Sequence, residues 1–234
     1  VVFDLKFKFQ KILENLKFLL DKGTILRNHY IYISFETNIN FKMSVLKKVF
    51  VTGANSGIGL ALCKQLAIED NCHVFLGSRS EERGKDAVAS ILAGAPEGTK
   101  VELVIIDVAD DASVNAAAAS LEEHKPFHAI VNNAGIGLAH KSVTADMIYN
   151  VNLLGAKRVN EAFLSLVNPD GGRLVGTSSG VASVYMKGEG FGKKLGGITL
   201  SDREPLKKSD VTWEQIQHTL DLEKSSNFGD IPAN

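Results

Sequence analysis

The stretch Thr52-Gly53-Ala54-Asn55-Ser56-Gly57-Ile58-Gly59 has the residue types that hold a phosphate without a cation. Its glycines permit a tight turn and let the backbone approach a pyrophosphate, and a helix opening here supplies free N–H groups and a positive dipole end. A glycine-rich turn with no ligand is the plain alternative. About twenty residues on, Leu76-Gly77-Ser78-Arg79 offers no acid for a ribose 2′-hydroxyl. Arg79 instead offers a charge-matched planar fork for a 2′-phosphate; a solvent-facing Arg is the plain alternative. Asp107 carries a carboxylate able to accept from an adenine amino group, and a turn or cap residue is its alternative.

These residues need elements to position them, and the chain alternates strand and helix from Met43 onward. Lys48–Thr52 is a short apolar strand, and a helical stretch covers Leu60–Glu69. His73–Leu76 is a second strand. Ser80 is an N-cap, with Glu81 and Glu82 in the first turn of a helix reaching about Leu92. Val101–Ile106 is a third strand, Ala112–Glu123 a helix, Phe127–Val131 a fourth strand, and Ala145–Val167 a long helix. Arg173–Thr177 is a fifth strand, and no further strand is evident beyond Ser179. Such alternation predicts βαβ units, a parallel sheet with helices on both faces and a doubly wound α/β fold of order 3-2-1-4-5. The ligand crevice of that fold lies at the strand C-termini.

The composition excludes other classes. In 234 residues, 44% are apolar, 23% charged, and the net charge is −1. That balance points to no nucleic acid and to no long disordered region. There is no apolar run long enough for a spanning helix, so no membrane partner is expected. Cys63 and Cys72 make no framework of bridges, and no Cys/His cluster has metal-ligand spacing, which fits a reducing, cytoplasmic setting without a metal. Residues 1–42 differ from the rest: they hold no Ala or Pro, one Gly, and a net charge of +3. They lack the Arg and Ser of a transit peptide and the apolar core of a secretory signal. Phe, Lys, Ile and Asn fill 21 of these positions, the signature of AT-rich codons. The expectation is a non-native leader or a disordered extension, with Met43 the start.

The glycine pattern, Asp107-Val108 and Asn132-Asn133-Ala134-Gly135 together resemble the short-chain dehydrogenase/reductase family over Lys48 to about Val184. The resemblance implies that Gly53, Asn55, Ser56, Gly57, Ile58 and Gly59 line the pyrophosphate, and that Ser78 and Arg79 select NADP(H). It implies that Asp107 and Val108 hold adenine, and that Asn132, Ala134 and Gly135 border the cofactor ribose. Asn152 matches an asparagine that helps hold a proton-relay water, and Ser179 the serine that hydrogen-bonds a substrate carbonyl. The parent activity is then NADP(H)-dependent reduction of a small-molecule carbonyl to an alcohol. Arg83-Gly84 and Ala87-Val88 after Arg79 are similar to the monomeric carbonyl reductase branch, which implies a monomeric full-length form. Residues 43–179 would be the nucleotide-binding domain and 180–234 a partly helical insertion, with its helix starting near Thr212 and presenting Trp213, Ile216 and Leu220 on one face.

One feature of the family is missing. It reads Tyr-x-x-x-Lys after the serine, but none of Tyr30, Tyr32, Tyr149 and Tyr185 has Lys four residues later. The expectation is a C-terminal truncation that also removes the last strands. A cofactor-binding protein without chemistry fits the same residues. Gly176-Thr177-Ser178-Ser179-Gly180 also satisfies the nucleophile-elbow pattern of a serine hydrolase using Ser178, with Asp210 or Asp221 and His218 as partners. That reading requires a helix after the serine, and glycines at 180, 188, 190 and 192 predict none there.

Overall fold

The computed structural model describes residues 46–137, 143–188 and 197–225. Five parallel strands form its sheet: β1 (Lys48–Val51), β2 (His73–Ser78), β3 (Lys100–Ile105), β4 (Ala129–Asn132) and β5 (Arg173–Gly176). Their order, β3-β2-β1-β4-β5, is the one the sequence predicts. Between strands run α1 (Gly57–Ile68), α2 (Glu81–Leu92) and α3 (Asp111–Ser120), then α4 (Ala145–Tyr149) and α5 (Gly155–Phe163). Beyond β5 come α6 (Gly180–Lys187), α7 (Leu200–Arg203) and α8 (Trp213–Ser225).

The central strands are apolar throughout because helices cover both faces. β1 is buried after its first residue, and β2 along its whole length. Strand side chains alternate between faces. Val49 and Val51 therefore enter one core with Cys63, Val74, Leu76 and Ile91, and Phe50 enters the other with Phe75, Val114, Ile130, Val159 and Phe163. Phe50 stacks on Phe163 at 4.8 Å between centroids, which fastens α5 to the sheet. Full burial of a ring of this size is worth about 1.5–3 kcal/mol.

Val51 lies opposite both Leu76 and Val131, and Asn132 opposite Gly176. β1, β4 and β5 thus end at one level, and their following loops emerge side by side. The winding reverses between β1 and β4, where a crevice opens.

The structure differs from expectation in two helices. The helix predicted over 145–167 contains a π-helical turn, Asn150–Leu154, between α4 and α5, and it tightens to a 3₁₀ turn at Leu164–Leu166. The absence of a helix after Ser179 is corrected: α6 occupies Gly180–Lys187. The Ser179 hydroxyl caps α6, accepting from the Val181 N–H at 3.2 Å. Gly180 stands at its first position and Gly188 closes it at φ +62°. Two glycines read as breakers are thus end signals, since glycine is favoured at a left-handed C-terminus. Gly190 and Gly192 lie outside the described residues, as do residues 1–42. Among the described residues no strand follows β5, and no helix is long and apolar enough to cross a membrane. The helix expected from Thr212 is α8.

Candidate functional site

The crevice is floored by a turn that only glycine can make. Gly53 has φ +62°, and a Cβ on it would come within 2.7 Å of the Ala134 Cα. A Cβ on Gly59 would meet the Asn133 Nδ2 at 2.4 Å and the Gly53 carbonyl oxygen at 2.7 Å. Gly57 has φ +56° with open space around it, so it serves the turn and lines neither of the grooves described below. Ser56 precedes α1 in extended conformation, without a side-chain cap bond, and the first turn of α1 holds no acid. The leading N–H groups and positive end of α1 therefore face the crevice uncompensated by the chain.

Thr52 welds β1 to the loop after β4. Its buried hydroxyl donates to the Val131 carbonyl at 3.3 Å and accepts from the Asn133 and Ala134 N–H groups, each at 3.0 Å. The Asn133 side-chain amide returns two bonds, to the Thr52 and Gly53 carbonyls at 3.0 and 3.2 Å. The glycine turn is thus held from the neighbouring strand.

A groove of about 360 Å³ follows this turn. Gly53, Asn55, Ser56, Ile58 and Gly59 line it together with Arg79, Asp107, Val108, Ala134 and Gly135. Arg83 also lines it and was missed by the sequence reading; its signal was its place one turn into α2, a helix capped by the Ser80 hydroxyl. The Arg79 guanidinium lies 3.9 Å from the Asp107 carboxylate, and 64% of its side chain is exposed. Asp107 is fixed by its own turn: its N–H donates to the Ser113 hydroxyl at 2.9 Å, and its carboxylate accepts from the Ala109 N–H at 3.0 Å. Ser78 lies elsewhere. It is buried, and its hydroxyl donates to the Ser80 carbonyl.

A second groove, of about 490 Å³, adjoins the first. Val108, Asn133, Ala134, Gly135 and Val151 belong to both. Asn132, Asn152, Ser178 and Ser179 line the second only. Asn132 donates to the Asn160 side-chain carbonyl at 2.7 Å. Asn152, in the π-helical turn, pairs both ways with the Ile136 backbone at 2.9 Å. Ser179 spends an acceptor on α6, which leaves its O–H as a donor. Among the described residues no Asp, Glu, His, Lys, Cys or Tyr lines this groove.

Tyr185 is no substitute acid. It points away to α8, where its hydroxyl donates to Glu223, and Arg203 stacks on its ring at 3.8 Å. Burial first, then the bond to Glu223, pushes its pKa well above the ordinary phenol value. Tyr149 lies under Lys224, 4.5 Å from its ring centroid.

With α6 in place, the strand and helix of a nucleophile elbow are present around Ser178. The strained turn is not: among the described residues Asn71 alone of the non-glycines has positive φ, whereas an elbow strains its nucleophile. Nor does any described hydrogen bond join Ser178 to His218 or an acid.

A model of the family described as short chain dehydrogenase matches residues 47–190. The short-chain dehydrogenase/reductase tropE of Talaromyces stipitatus is 34% identical over 152 residues, covering 61% of this chain and 56% of that protein. Carbonyl reductase (NADPH) 1 of Mus musculus is 34% identical over 143 residues, 58% of this chain and 50% of that protein. The chain thus spans about half the length of the curated relatives it matches. Menthone neomenthol reductase from Mentha piperita superposes with a TM-score of 0.63 at 24% identity, over 78% of this chain and 74% of that one, which shows the shared fold.

Proposed function

The chain belongs to the short-chain dehydrogenase family, and from that premise we propose that its first groove binds NADP(H) and its second receives a small-molecule carbonyl, the parent activity being reduction of that carbonyl to an alcohol. The observation that carries the reading is the continuity of the two grooves, which share Val108, Asn133, Ala134, Gly135 and Val151, with a glycine turn, a helix N-terminus and two arginines lining the first. The residues fit a dinucleotide. Gly53 and Gly59 let the turn pack directly against Asn133 and Ala134, where a Cβ would collide, and both line the groove; the amides of α1 suit a pyrophosphate, and Arg79 with Arg83 suits a 2′-phosphate. The mouse relative's name as an NADPH carbonyl reductase supports the choice of cofactor and substrate class.

In this reading residues 43–179 form the nucleotide-binding part and 180–234 the substrate side. Lys224 pairs with Asp146 at 3.1 Å and Lys157 lies over the Trp213 ring at 5.0 Å, which docks α8 on α4 and α5. The bound cofactor would supply the hydride, and the Ser179 O–H would hold the carbonyl oxygen. Two free, buried thiols, Cys63 and Cys72, fit a reducing compartment such as the cytoplasm.

Among the described residues of the second groove no titratable side chain stands ready to protonate the oxygen. A second reading, a cofactor-binding protein without chemistry, is favoured by the second groove, whose described lining residues include no titratable side chain. Calorimetry with NADPH and NADH, followed by NADPH oxidation with aldehydes, ketones and quinones, separates the readings. NADPH binding without turnover fits the binding protein and equally a reductase chain that lacks its proton donor, whereas turnover favours the reductase and removes the binding protein. Failure to bind NADPH removes both.

A further inference from the structure

We infer that Arg158 is a positioning residue that sets the spacing between the adenine and nicotinamide ends of the site, an inference that rests on the NADP(H) reading above. Arg158 sits on α5, behind both grooves, with 18% of its side chain exposed. Its Nε donates to the Asp111 carboxylate at 3.0 Å, beside the start of α3. Its Nη1 donates to two carbonyls from different parts of the chain, Val108 at 3.4 Å and Asn150 at 3.3 Å. Val108 sits in the middle of the 106–110 loop between β3 and α3, on the adenine side of the proposed site, while Asn150 opens the π-helical turn that carries Val151 and Asn152. The two carbonyls thus belong to Val108 itself and to the residue before Val151, two of the five residues shared by both grooves. A second bond runs in parallel, from the Asn150 side-chain amide to the Ala109 carbonyl at 3.4 Å. Contact is already tight there, since a Cβ on Gly155 would meet Val108 Cγ2 at 2.9 Å.

The adenine-side loop does not need Arg158 for its own shape. Asp107 is held within the turn by Ser113, Ala109 and Asp110. The link to Asn150 is what Arg158 adds. A ligand reaching both grooves gains from its second end only when the spacing suits simultaneous contact. A fragment that fills the adenine end alone has no such requirement. A planar guanidinium can bridge several acceptors at once; an ammonium is a point charge and cannot hold them in one geometry.

The test compares NADPH with 2′,5′-ADP, which carries the adenine and 2′-phosphate but no nicotinamide, by calorimetry on the full chain. Arg158→Met is expected to weaken NADPH by roughly tenfold and to leave 2′,5′-ADP within about twofold. Arg158→Lys should behave like Met. Asn150→Ala, which removes the parallel bond, should shift the same ratio by a smaller factor, and it carries the test if Arg158→Met does not fold. Equal weakening of both ligands, or no change in either, overturns the inference and leaves the cofactor reading standing. Wild-type chain that binds neither ligand overturns the cofactor reading itself.

Discussion

Arg79 is exposed and, among the described residues, pairs at long range with Asp107, so its charge is available to a ligand phosphate. Arg79→Ala is expected to weaken NADPH about tenfold or more, since hydrogen bonds to charged groups are worth about 1.5–3 kcal/mol, and to change NADH little. Titration with the two cofactors checks this. Equal loss would remove Arg79 from the site. Arg79 was legible because its position, twenty residues past the glycines, carries the chemistry. Arg83 was not, because its reach into the same groove depends on how α2 packs. Gly57 and Ser78 were read with their neighbours, yet one serves the turn and the other is buried. Adjacent residues of a strand or turn need not face the same way.

At the scale of elements, Thr52 joins β1 to the loop after β4. Thr52→Val keeps the volume but leaves the N–H groups of Asn133 and Ala134 without their acceptor. A buried donor left unpaired costs about 1–3 kcal/mol each, so urea denaturation should show a stability loss of that order, with NADPH affinity falling alongside. His73, at the start of β2, is buried against Phe75 and bonded to Glu102 at 2.6 Å. Burial outweighs Glu102 and lowers its pKa from the ordinary 6.5, so the pair is a hydrogen bond to a neutral ring. His128 is lowered in the same direction by burial, Lys47 and Arg173. A histidine with a depressed folded pKa binds its proton more readily when unfolded. The stability these two supply is therefore present above pH 6.5 and is lost as pH falls through their folded values. His73→Gln, which can keep the bond to Glu102, should flatten the fall in stability between pH 6.5 and 5. An unchanged slope in denaturation series across that window would be the contrary result.

Taken whole, the molecule joins a glycine turn at a helix N-terminus to a second groove whose described lining holds no carboxylate, imidazole, amine, thiol or phenol. The 234-residue chain is expected to bind NADPH yet show no reductase turnover, because general acid catalysis supplies typically ~10²–10⁴-fold and neither Ser179 nor Tyr185 is placed and tuned to provide it. Binding alone should stabilise the fold by about 2.7 kcal/mol at one hundred times the dissociation constant. Thermal unfolding with and without NADPH, beside a turnover assay, checks both halves. A rise in Tm together with turnover would contradict the second half.

The sequence by itself determined the parallel sheet and its order, since apolar strands alternating with helices and right-handed crossovers leave few topologies. It determined the glycine turn, since its glycines sit at a strand–helix junction, and it ruled out Tyr-x-x-x-Lys by simple spacing. Tertiary structure alone decided matters that depend on contacts between distant residues. Asn133 and Thr52 hold each other across strands, Arg158 bridges residues 108 and 150, and Asn152 is tied to Ile136 by a π-helical turn. It decided α6 as well: glycine has low helix propensity, but Gly180 and Gly188 fall at the ends of a helix capped by Ser179, where they cost little and stop it cleanly.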